Sequence, residues 1–256
     1  MQQQLTIVKV GGKIIEDSES LATFLKDFAL IAGDKILIHG GGHSATLLAE
    51  KLGLQTKMTE GRRITDPEML KVVTMVYAGL INKNIVAQLQ KLGIDAIGLT
   101  GADMNLILSE KRPVKEIDYG FVGDIRNVNV LALLELLNQN YLPVIAPLTH
   151  DGNGNLLNTN ADSIAAATAK ALAFDRNVRL IYCFEKRGVL MNENDEKSLI
   201  PTLDFELFQQ YKNKGIIQGG MIPKLDNAFQ AIAFGVKEVI ITRASDINTG
   251  KGTFIR

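Results

Sequence analysis

The chain has 256 residues, of which 46% are hydrophobic, and it carries 28 basic and 28 acidic residues. A chain of this length and composition buries a substantial core, as one domain or as two lobes. The balanced charge provides no basic field for nucleic acid or anionic lipid, so neither is expected as a partner. No run of about 18 uninterrupted apolar residues occurs, so no membrane span is predicted.

The single cysteine, Cys183, lies inside an apolar run at residues 178–184. One cysteine excludes an intramolecular disulfide, and its apolar neighbours favour a small buried residue over a nucleophile. The first apolar segment ends at Lys9 and is too short for the core of a signal peptide. We therefore expect a cytoplasmic protein.

Short β-branched runs alternate with longer segments of helical period along the chain. The predicted strands cover residues 5–10, 35–39, 96–100, 142–147, 178–184 and 238–242. The predicted helices cover residues 18–31, 44–52, 67–92, 130–138, 161–173, 204–212 and 221–234. This alternation is typical of a parallel sheet with helical crossovers, interrupted between residues 106 and 129 by a predicted antiparallel hairpin. A turn cluster at residues 151–154 marks the predicted boundary between two lobes.

Three consecutive glycines, Gly40, Gly41 and Gly42, separate the predicted strand at 35–39 from a helical segment. Glycine lets the backbone turn sharply and lets a ligand approach its amides, while the next helix adds unpaired N–H groups and a positive dipole end. A tight strand-to-helix crossover would also need glycine, but three in a row favour a site for an anion such as phosphate.

Two lysines accompany glycine pairs elsewhere in the chain. Lys9 lies near the end of the first predicted strand, just before Gly11-Gly12, and Lys224 follows Gly219-Gly220 at the start of the last predicted helix. A lysine is rarely buried without an anion, and its charge is unfavourable at a helix N-terminus unless an anion binds there. Taken alone, Lys9 is better explained by a side chain that reaches solvent at the end of a strand, and the same explanation would often hold for Lys224.

A polar stretch at residues 158–163 precedes an alanine-rich helical segment. Asn160 is a good helix N-cap, and Asp162 falls in the first turn, where a carboxylate is favoured. Capping explains both of these residues. It does not explain Asn158, which lies before the helix.

Two glycine-rich loops, two lysines and one carboxylate favour phosphoryl transfer, because that reaction needs positioning and positive charge more than a protein nucleophile. His39, His43 and His150 lack the spacing of metal ligands, so no metal site is predicted. The chain contains neither G-x-x-x-x-G-K-[ST] nor G-x-G-x-x-G, which argues against a P-loop and against a dinucleotide site.

Five motifs resemble, in order and spacing, those of the amino acid kinase family over essentially the whole chain. They are Lys9-Val10-Gly11-Gly12, His39-Gly40-Gly41-Gly42, Gly61-Arg62-Arg63-Ile64-Thr65, Asn158-Thr159-Asn160-Ala161-Asp162 and Gly219-Gly220-Met221-Ile222-Pro223-Lys224. The resemblance is to members that phosphorylate N-acylated glutamates. It implies transfer of the γ-phosphoryl group of ATP to the side-chain carboxylate of N-acetyl-L-glutamate, on the route to ornithine and arginine.

The resemblance also implies roles for individual residues. Lys9 and Lys224 would be catalytic and would stabilise charge on the transferring phosphoryl group, with Asp162 holding both lysines in place. The implied substrate site consists of Gly41, Gly42, Arg63 and Asn158. The implied nucleotide site consists of Gly11, Gly12, Glu185, Gly188 and Gly220. Magnesium would accompany ATP, held mainly by phosphate oxygens and water.

The implied fold is a three-layer αβα sandwich around a mainly parallel sheet of about eight strands. Residues 1–256 would form a single domain, with a lobe at about 1–150 for the acylglutamate and a lobe at about 151–256 for ATP. Phe184-Glu185 departs from the family pattern of Thr or Ser followed by Asp, which leaves the details of nucleotide recognition open. The passage from Thr242 to Gly252-Thr253 is shorter than usual in the family.

Three alternatives remain open. N-succinylglutamate would call for a second cation, for which Arg62 is the candidate, although strand alternation turns Arg62 to the face opposite Arg63. A carbamate or uridylate kinase would keep the glycine loops without needing Arg63 and Asn158 as a carboxylate clamp. A binding module without turnover would not need the two lysines.

The resemblance bears on assembly as well. Members of the family that arginine inhibits carry an extra helix ahead of the first strand, and these helices interlace dimers into a hexamer. Four residues precede the first apolar run here, too few for such a helix. The long predicted helix at 67–92 is apolar over more of its length than one core usually needs. We therefore expect a homodimer that is insensitive to arginine.

Overall fold

The computed structural model describes residues 2–59 and 62–256. The chain divides into two compact units: the segment through Lys35 together with Ala165–Arg256, and Ile36–Ile164. This division differs from the single boundary predicted near residue 151. The reason is that the first strand pairs with a strand from the carboxy-terminal part of the chain, with Gln4 opposite Asn177.

The secondary structure covers most of the described chain. The strands are, in chain order, β1 (Gln4–Val10), β2 (Asp34–His39), β3 (Met58–Thr59), β4 (Arg62–Arg63), β5 (Ala96–Leu99), β6 (Ile107–Lys111), β7 (Gly123–Val128), β8 (Leu142–Ile145), β9 (Leu148–His150), β10 (Leu156–Asn158), β11 (Asn177–Phe184), β12 (Thr202–Leu203), β13 (Glu238–Arg243) and β14 (Thr253–Ile255). The α-helices are α1 (Lys13–Glu16), α2 (Ser18–Ala29), α3 (Gly42–Lys51), α4 (Pro67–Thr74), α5 (Asn82–Lys91), α6 (Val130–Asn138), α7 (Ala161–Leu172), α8 (Phe205–Asn213) and α9 (Met221–Ala233). A π-helical stretch, Met75–Ile81, joins α4 to α5, and 3₁₀ turns lie at Asp103–Asn105 and Ala244–Asp246.

In the first unit, five strands follow the order β12-β14-β13-β11-β1. β1, β11 and β13 are parallel, and β14 runs antiparallel to β13. Lys9 of β1 lies directly opposite Tyr182 of β11. Because side chains alternate along a strand, Lys9, Tyr182 and Phe184 all project from the same face of the sheet.

In the second unit, β2, β8 and β5 pair in parallel in that order. A second sheet follows the order β10-β9-β6-β7, and β3 pairs with β4. β6 and β7 form the antiparallel hairpin that was predicted between residues 106 and 129. The prediction of an α/β fold with a mainly parallel sheet of about eight strands is confirmed, since five such strands lie in the first unit and three in the second.

Helix starts follow from side-chain caps. Asp17, Asp66, Asn129 and Asp204 each accept a hydrogen bond from the backbone N–H three residues on, at 2.7 to 3.2 Å. Such a cap satisfies one of the N–H groups that the first turn leaves unpaired. The helices that begin after these residues therefore start within about one residue of their predicted positions.

Among the described residues, one helical stretch, Pro67–Lys91, is long and apolar enough to cross a membrane by length and composition alone. Its most apolar 18-residue window is 44% buried inside the protein. A core helix of a soluble protein meets the same criterion, so this stretch is weak evidence of a span. The absence of a membrane span stays a prediction.

Candidate active site

The predicted site residues divide between the two units. Lys9, Lys224 and the predicted nucleotide residues belong to the first unit, whereas Asp162 and the predicted substrate residues belong to the second. The first unit contains a cavity of about 950 Å³, within the size range of small-molecule sites. Its lining comprises Gly11, Gly12, Phe184, Glu185, Lys186, Gly188, Met191, Asn192, Glu193, Gly215, Ile216, Gln218, Gly219, Gly220, Met221 and Lys224. All five residues predicted to bind the nucleotide are thus brought together around one cavity.

Lys9 and Lys224 meet at one aromatic ring. The Nζ atom of Lys9 lies 5.2 Å from the centroid of the Phe184 ring, and the Nζ atom of Lys224 lies 4.8 Å from the same centroid. At these distances the negative face of a ring attracts an ammonium group. Lys9 is only 8% exposed. The two predicted catalytic lysines therefore both contact Phe184, a residue for which no role was predicted from the sequence.

The glycines after β1 leave room for charged groups. A Cβ atom on Gly11 would lie 2.7 Å from the Nζ atom of Lys9. Gly12 has a φ of 62°, and a Cβ atom there would lie 3.3 Å from Oε1 of Glu185. Glu185 also pairs with Lys13 at 3.8 Å, but both side chains are more than half exposed and solvent screens the contact. Glu185 and the glycine pair therefore adjoin each other at the cavity.

Gly188 brings the cavity wall against the final strand. A Cβ atom on Gly188 would lie 2.6 Å from the Oγ1 atom of Thr253. That hydroxyl accepts a hydrogen bond from the N–H of Val189 at 2.8 Å and donates one to the carbonyl of Ile200 at 2.6 Å. Thr253 thus connects the cavity wall at Val189 to the chain at Ile200. The Gly252-Thr253 pair is visible in the sequence, but its contacts with Val189 and Ile200 were not predicted.

Cys183 lies directly before Phe184 and is buried, as predicted. Burial raises the pKa of its thiol to about 12, although the nearby charge of Lys9 opposes the rise. The thiol is therefore protonated at neutral pH and is a poor nucleophile.

In the second unit, β2 ends at the fully buried His39. Its Nδ1 atom lies 2.7 Å from the carbonyl oxygen of Gly40, and its Nε2 atom lies 3.2 Å from the Nδ2 atom of Asn82. A carbonyl can only accept, so Nδ1 carries the proton and Nε2 accepts from the amide. Burial lowers the pKa of His39 to about 4. A neutral imidazole therefore anchors the start of the glycine triplet.

Gly41 is required by close packing. Its φ is 151°, and a Cβ atom there would lie 2.4 Å from Cδ1 of Ile81 and 3.0 Å from Cδ1 of Tyr77. Both neighbours belong to the π-helical stretch. α3 begins at Gly42, two residues before its predicted start, so the last glycine contributes to the amide-rich helix N-terminus.

Arg63 ties β4 to the beginning of α3. Its Nη2 atom donates to the carbonyl of Gly42 at 2.7 Å and to Oγ1 of Thr46 at 2.8 Å, and its Nη1 atom donates to Oγ1 of Thr56 at 3.2 Å. Arg63 is 8% exposed. Burial raises the pKa of the adjacent Tyr77, while the charge of Arg63 opposes that rise. The structure brings Arg63 and Gly42 together, two of the residues predicted to bind substrate.

Asn158 is linked to Arg63 through a threonine. The Nδ2 atom of Asn158 donates to Oγ1 of Thr65 at 2.9 Å, and that hydroxyl donates to the carbonyl of Arg63 at 3.2 Å. Thr65 is fully buried. It belongs to one of the five motifs, but no role was predicted for it. The two predicted carboxylate-binding residues are thus connected by a side chain that was overlooked.

Asp162 lies in the first turn of α7 and is 8% exposed. The N–H of Ser163 donates to Oδ1 of Asn160 at 3.0 Å, so Asn160 caps this helix as predicted. The dipole of the helix favours a carboxylate at this end. Asp162 is therefore a buried carboxyl group at the N-terminal end of this helix.

Comparisons with known proteins give matches to one family over nearly the whole chain. The model of the amino acid kinase family matches residues 4–243. A curated relative from Parabacteroides distasonis, named Acetylglutamate kinase, is 62% identical over 251 residues, which cover 98% of this chain and 98% of that protein. Both matches extend through the glycine loops and the segments that carry Lys9, Asp162 and Lys224.

Solved structures give the same picture of the fold. A protein from Streptococcus mutans is similar with a TM-score of 0.83 at 27% identity, covering 98% of both chains. Carbamate kinase from Giardia lamblia, bound to AMP-PNP, is similar with a TM-score of 0.72 at 14% identity, covering 98% of this chain and 97% of that one. At 14% identity this second likeness bears on the fold alone.

Proposed function

Because the chain belongs to the amino acid kinase family, we propose that it transfers the γ-phosphoryl group of ATP to the side-chain carboxylate of N-acetyl-L-glutamate, in the biosynthesis of arginine. The observation that carries this proposal is the full-length, high-identity likeness to a bacterial acetylglutamate kinase. In the reaction a carboxylate oxygen attacks the γ-phosphorus, the bond to the β-phosphate oxygen breaks, and the products are an acyl phosphate and ADP.

In this proposal ATP binds in the cavity of the first unit. The backbone amides of Gly11, Gly12 and Gly220 donate to phosphate oxygens, which can approach closely because glycine has no side chain. Lys9 and Lys224 stabilise the negative charge of the transferring group. The convergence of both ammonium groups on Phe184 supports these roles. Glu185 and Gly188 complete the nucleotide site.

The acceptor binds in the second unit. Arg63 and Asn158 hold a carboxylate of the acylglutamate, and the amides of Gly41 and Gly42 donate to its reacting end. The contact through Thr65 and the bond from Arg63 to Gly42 support this grouping. Nη2 of Arg63 donates to Gly42 and Thr46, and Nη1 donates to Thr56 and to the sulfur of Met69, so a carboxylate would use Nε or displace one of these contacts. Asp162, a buried carboxyl group in the first turn of α7, stays a proposed catalytic residue.

Magnesium is the metal expected with ATP. Among the residues that the structure describes, no group of three His, Cys, Asp or Glu side chains could hold a metal ion. In this proposal magnesium would be held mainly by phosphate oxygens and water. A magnesium ion bound in that way would supply neutralisation of phosphate charge, and Lys9 and Lys224 would act on the transferring group.

We also infer a cytoplasmic homodimer. Met75 and Leu80, on the continuous helix Pro67–Lys91, are 52% and 59% exposed. Exposed apolar side chains on one long helix suit a two-fold interface, in which the same surface of each copy makes the contact. Light scattering should give the mass of a dimer. The mass of a monomer or of a hexamer would contradict this inference.

A coupled assay of ADP release tests the activity. The acceptors are N-acetyl-L-glutamate, N-succinyl-L-glutamate, carbamate and uridylate, each with ATP and magnesium, and we expect the highest kcat/KM for N-acetyl-L-glutamate. Faster turnover of the succinyl compound would overturn the choice of acyl group. Turnover of carbamate or uridylate alone would overturn the class of acceptor, and no turnover at all would favour a binding module.

A further inference from the structure

We propose that Phe184 is a positioning residue that holds the ammonium groups of Lys9 and Lys224 in place for phosphoryl transfer. This inference rests on the proposed function, because it takes the two lysines as the groups that act on the transferring phosphoryl. Phe184 lies at the end of β11 and lines the cavity. Both ammonium groups lie within 5.2 Å of the centroid of its ring.

The strand register explains how Lys9 reaches the ring. Lys9 lies opposite Tyr182, and Phe184 is two residues further along the same strand, so all three side chains share one face. The rings of Tyr182 and Phe184 are stacked, with centroids 6.2 Å apart and planes within 5° of each other. Tyr182 is fully buried. A buried ring therefore supports the ring that the lysines contact.

Lys224 approaches from a different element, the first turn of α9. Within its own helix, Nζ donates to the carbonyl of Gly220 at 3.4 Å. Gly11 leaves the space that Nζ of Lys9 occupies. The ring is thus the feature common to two ammonium groups that come from opposite ends of the sequence.

An aromatic ring suits this position for a physical reason. Two ammonium groups beside one phosphate site repel each other before ATP binds, and Lys9 is also desolvated by burial. The face of a ring attracts both cations. It adds no full negative charge that would oppose the incoming phosphates.

The chain contains a matched control. Nζ of Lys170 lies 5.2 Å from the centroid of Phe234, the same distance as in the Lys9 contact. Phe234 is 59% exposed, and neither residue lines the cavity. Changes at Phe234 therefore perturb a cation–π contact without touching the proposed site.

Fluorination tests the ring directly. Phe184 is replaced by 4-fluoro-, 3,5-difluoro- and 3,4,5-trifluorophenylalanine, which weaken the negative face of the ring stepwise with little change in size. We expect kcat to fall at each step, by about tenfold in total, with an unchanged melting temperature. The same series at Phe234 should leave kcat unchanged. A flat series at Phe184 would overturn the proposal.

Two conventional variants separate positioning from nucleotide binding. Phe184→Leu should lower kcat by about tenfold, whereas Phe184→Tyr, which keeps the ring, should stay within about twofold of the parent enzyme. If Phe184→Leu raised only the KM for ATP, the ring would be a wall of the nucleotide site and the proposal would be wrong. If Lys9→Ala and Lys224→Ala abolish activity but the fluorinated series is flat, this inference alone fails. If both lysine variants stay active, both the proposed function and this inference fail.

Discussion

The glycines after β1 and the glycines after β2 have different neighbours. A Cβ atom on Gly11 would meet the ammonium end of Lys9 at 2.7 Å, whereas one on Gly41 would meet carbons of Ile81 and Tyr77 at 2.4 and 3.0 Å. The first junction leads into the four-residue α1, and the second leads into the ten-residue α3. Similar strand–glycine–helix sequences therefore make room for a charged group in one unit and for a packed core in the other.

The largest effect should come from removing the charge beside the first junction. Lys9→Ala or Lys224→Ala should lower kcat by about 100-fold or more, on the scale of losing one preorganised electrostatic donor. Steady-state kinetics with circular dichroism checks both activity and folding. Lys170→Ala removes a lysine with similar ring contact outside the site and should retain the parent kcat. Near-normal kcat in both site variants would refute the assignment.

At the second junction, Gly41→Ala should lower the free energy of unfolding by about 2 to 3 kcal/mol, because the added methyl group overpacks the core at Ile81. Urea unfolding measures the change. Gly79→Ala is the control, since a Cβ atom there has no neighbour within 4 Å. Adding Ile81→Val removes the Cδ1 atom and should recover part of the loss. Strictly additive effects of the two substitutions would contradict this explanation.

Arg63→Lys should break the bidentate geometry beside the second junction. Lysine cannot reproduce the fork that reaches Gly42, Thr46 and Thr56, so we expect the KM for the acylglutamate to rise by about tenfold. The KM for ATP should change little. Kinetics with each substrate varied in turn provides the test. A selective loss of ATP affinity would mean that the substrate sites have been assigned to the wrong units.

Gly11→Ala sharpens the contrast with Gly41→Ala. The added methyl group meets only the flexible end of Lys9, so the free energy of unfolding should change by less than about 0.5 kcal/mol. Displacing the ammonium group should nevertheless lower kcat by up to about tenfold. A large loss of stability with unchanged kcat would show that Gly11, like Gly41, is required by core packing.

The smallest effect concerns pH and His39 at the second junction. The folded-state pKa of about 4 lies below the ordinary value of 6.5, so the unfolded chain takes up a proton first as the pH falls. Stability contributed by the neutral imidazole is therefore complete above about pH 6.5 and is lost as the pH falls towards 4. Between pH 7 and 5.5 the loss should be about 1 kcal/mol in urea unfolding. His39→Gln should show a shallower dependence, and an equal slope would exclude His39 as its source.

Much of the fold follows from local sequence signals. α6 has its predicted bounds because Asn129 caps it, and Asp66 with Pro67 sets the start of α4. The π-helical stretch was not predicted, because helical spacing of apolar residues does not reveal an extra residue in one turn. Its packing against Gly41 depends on residues distant in the sequence.

The candidate site was predicted only in part, because some of its contacts also depend on residues that are distant in the sequence. Lys9 and Lys224 follow from the chemistry of an anion site, and their glycine neighbours are visible in the sequence. Phe184 was noticed only as a departure from a family pattern, because its contact with Lys9 depends on the register between β1 and β11. Thr65 acts through two hydrogen bonds that no spacing of residue types predicts.

The discontinuous first unit has a consequence for synthesis on the ribosome. Ile36–Ile164 is one continuous segment that can fold as it emerges, whereas β1 must wait for β11, which is made much later. Closure of the cavity wall waits longer still, for Thr253. A nascent chain therefore cannot assemble the proposed nucleotide site until Thr253 has left the ribosome, and we expect it to be unable to hydrolyse ATP before then.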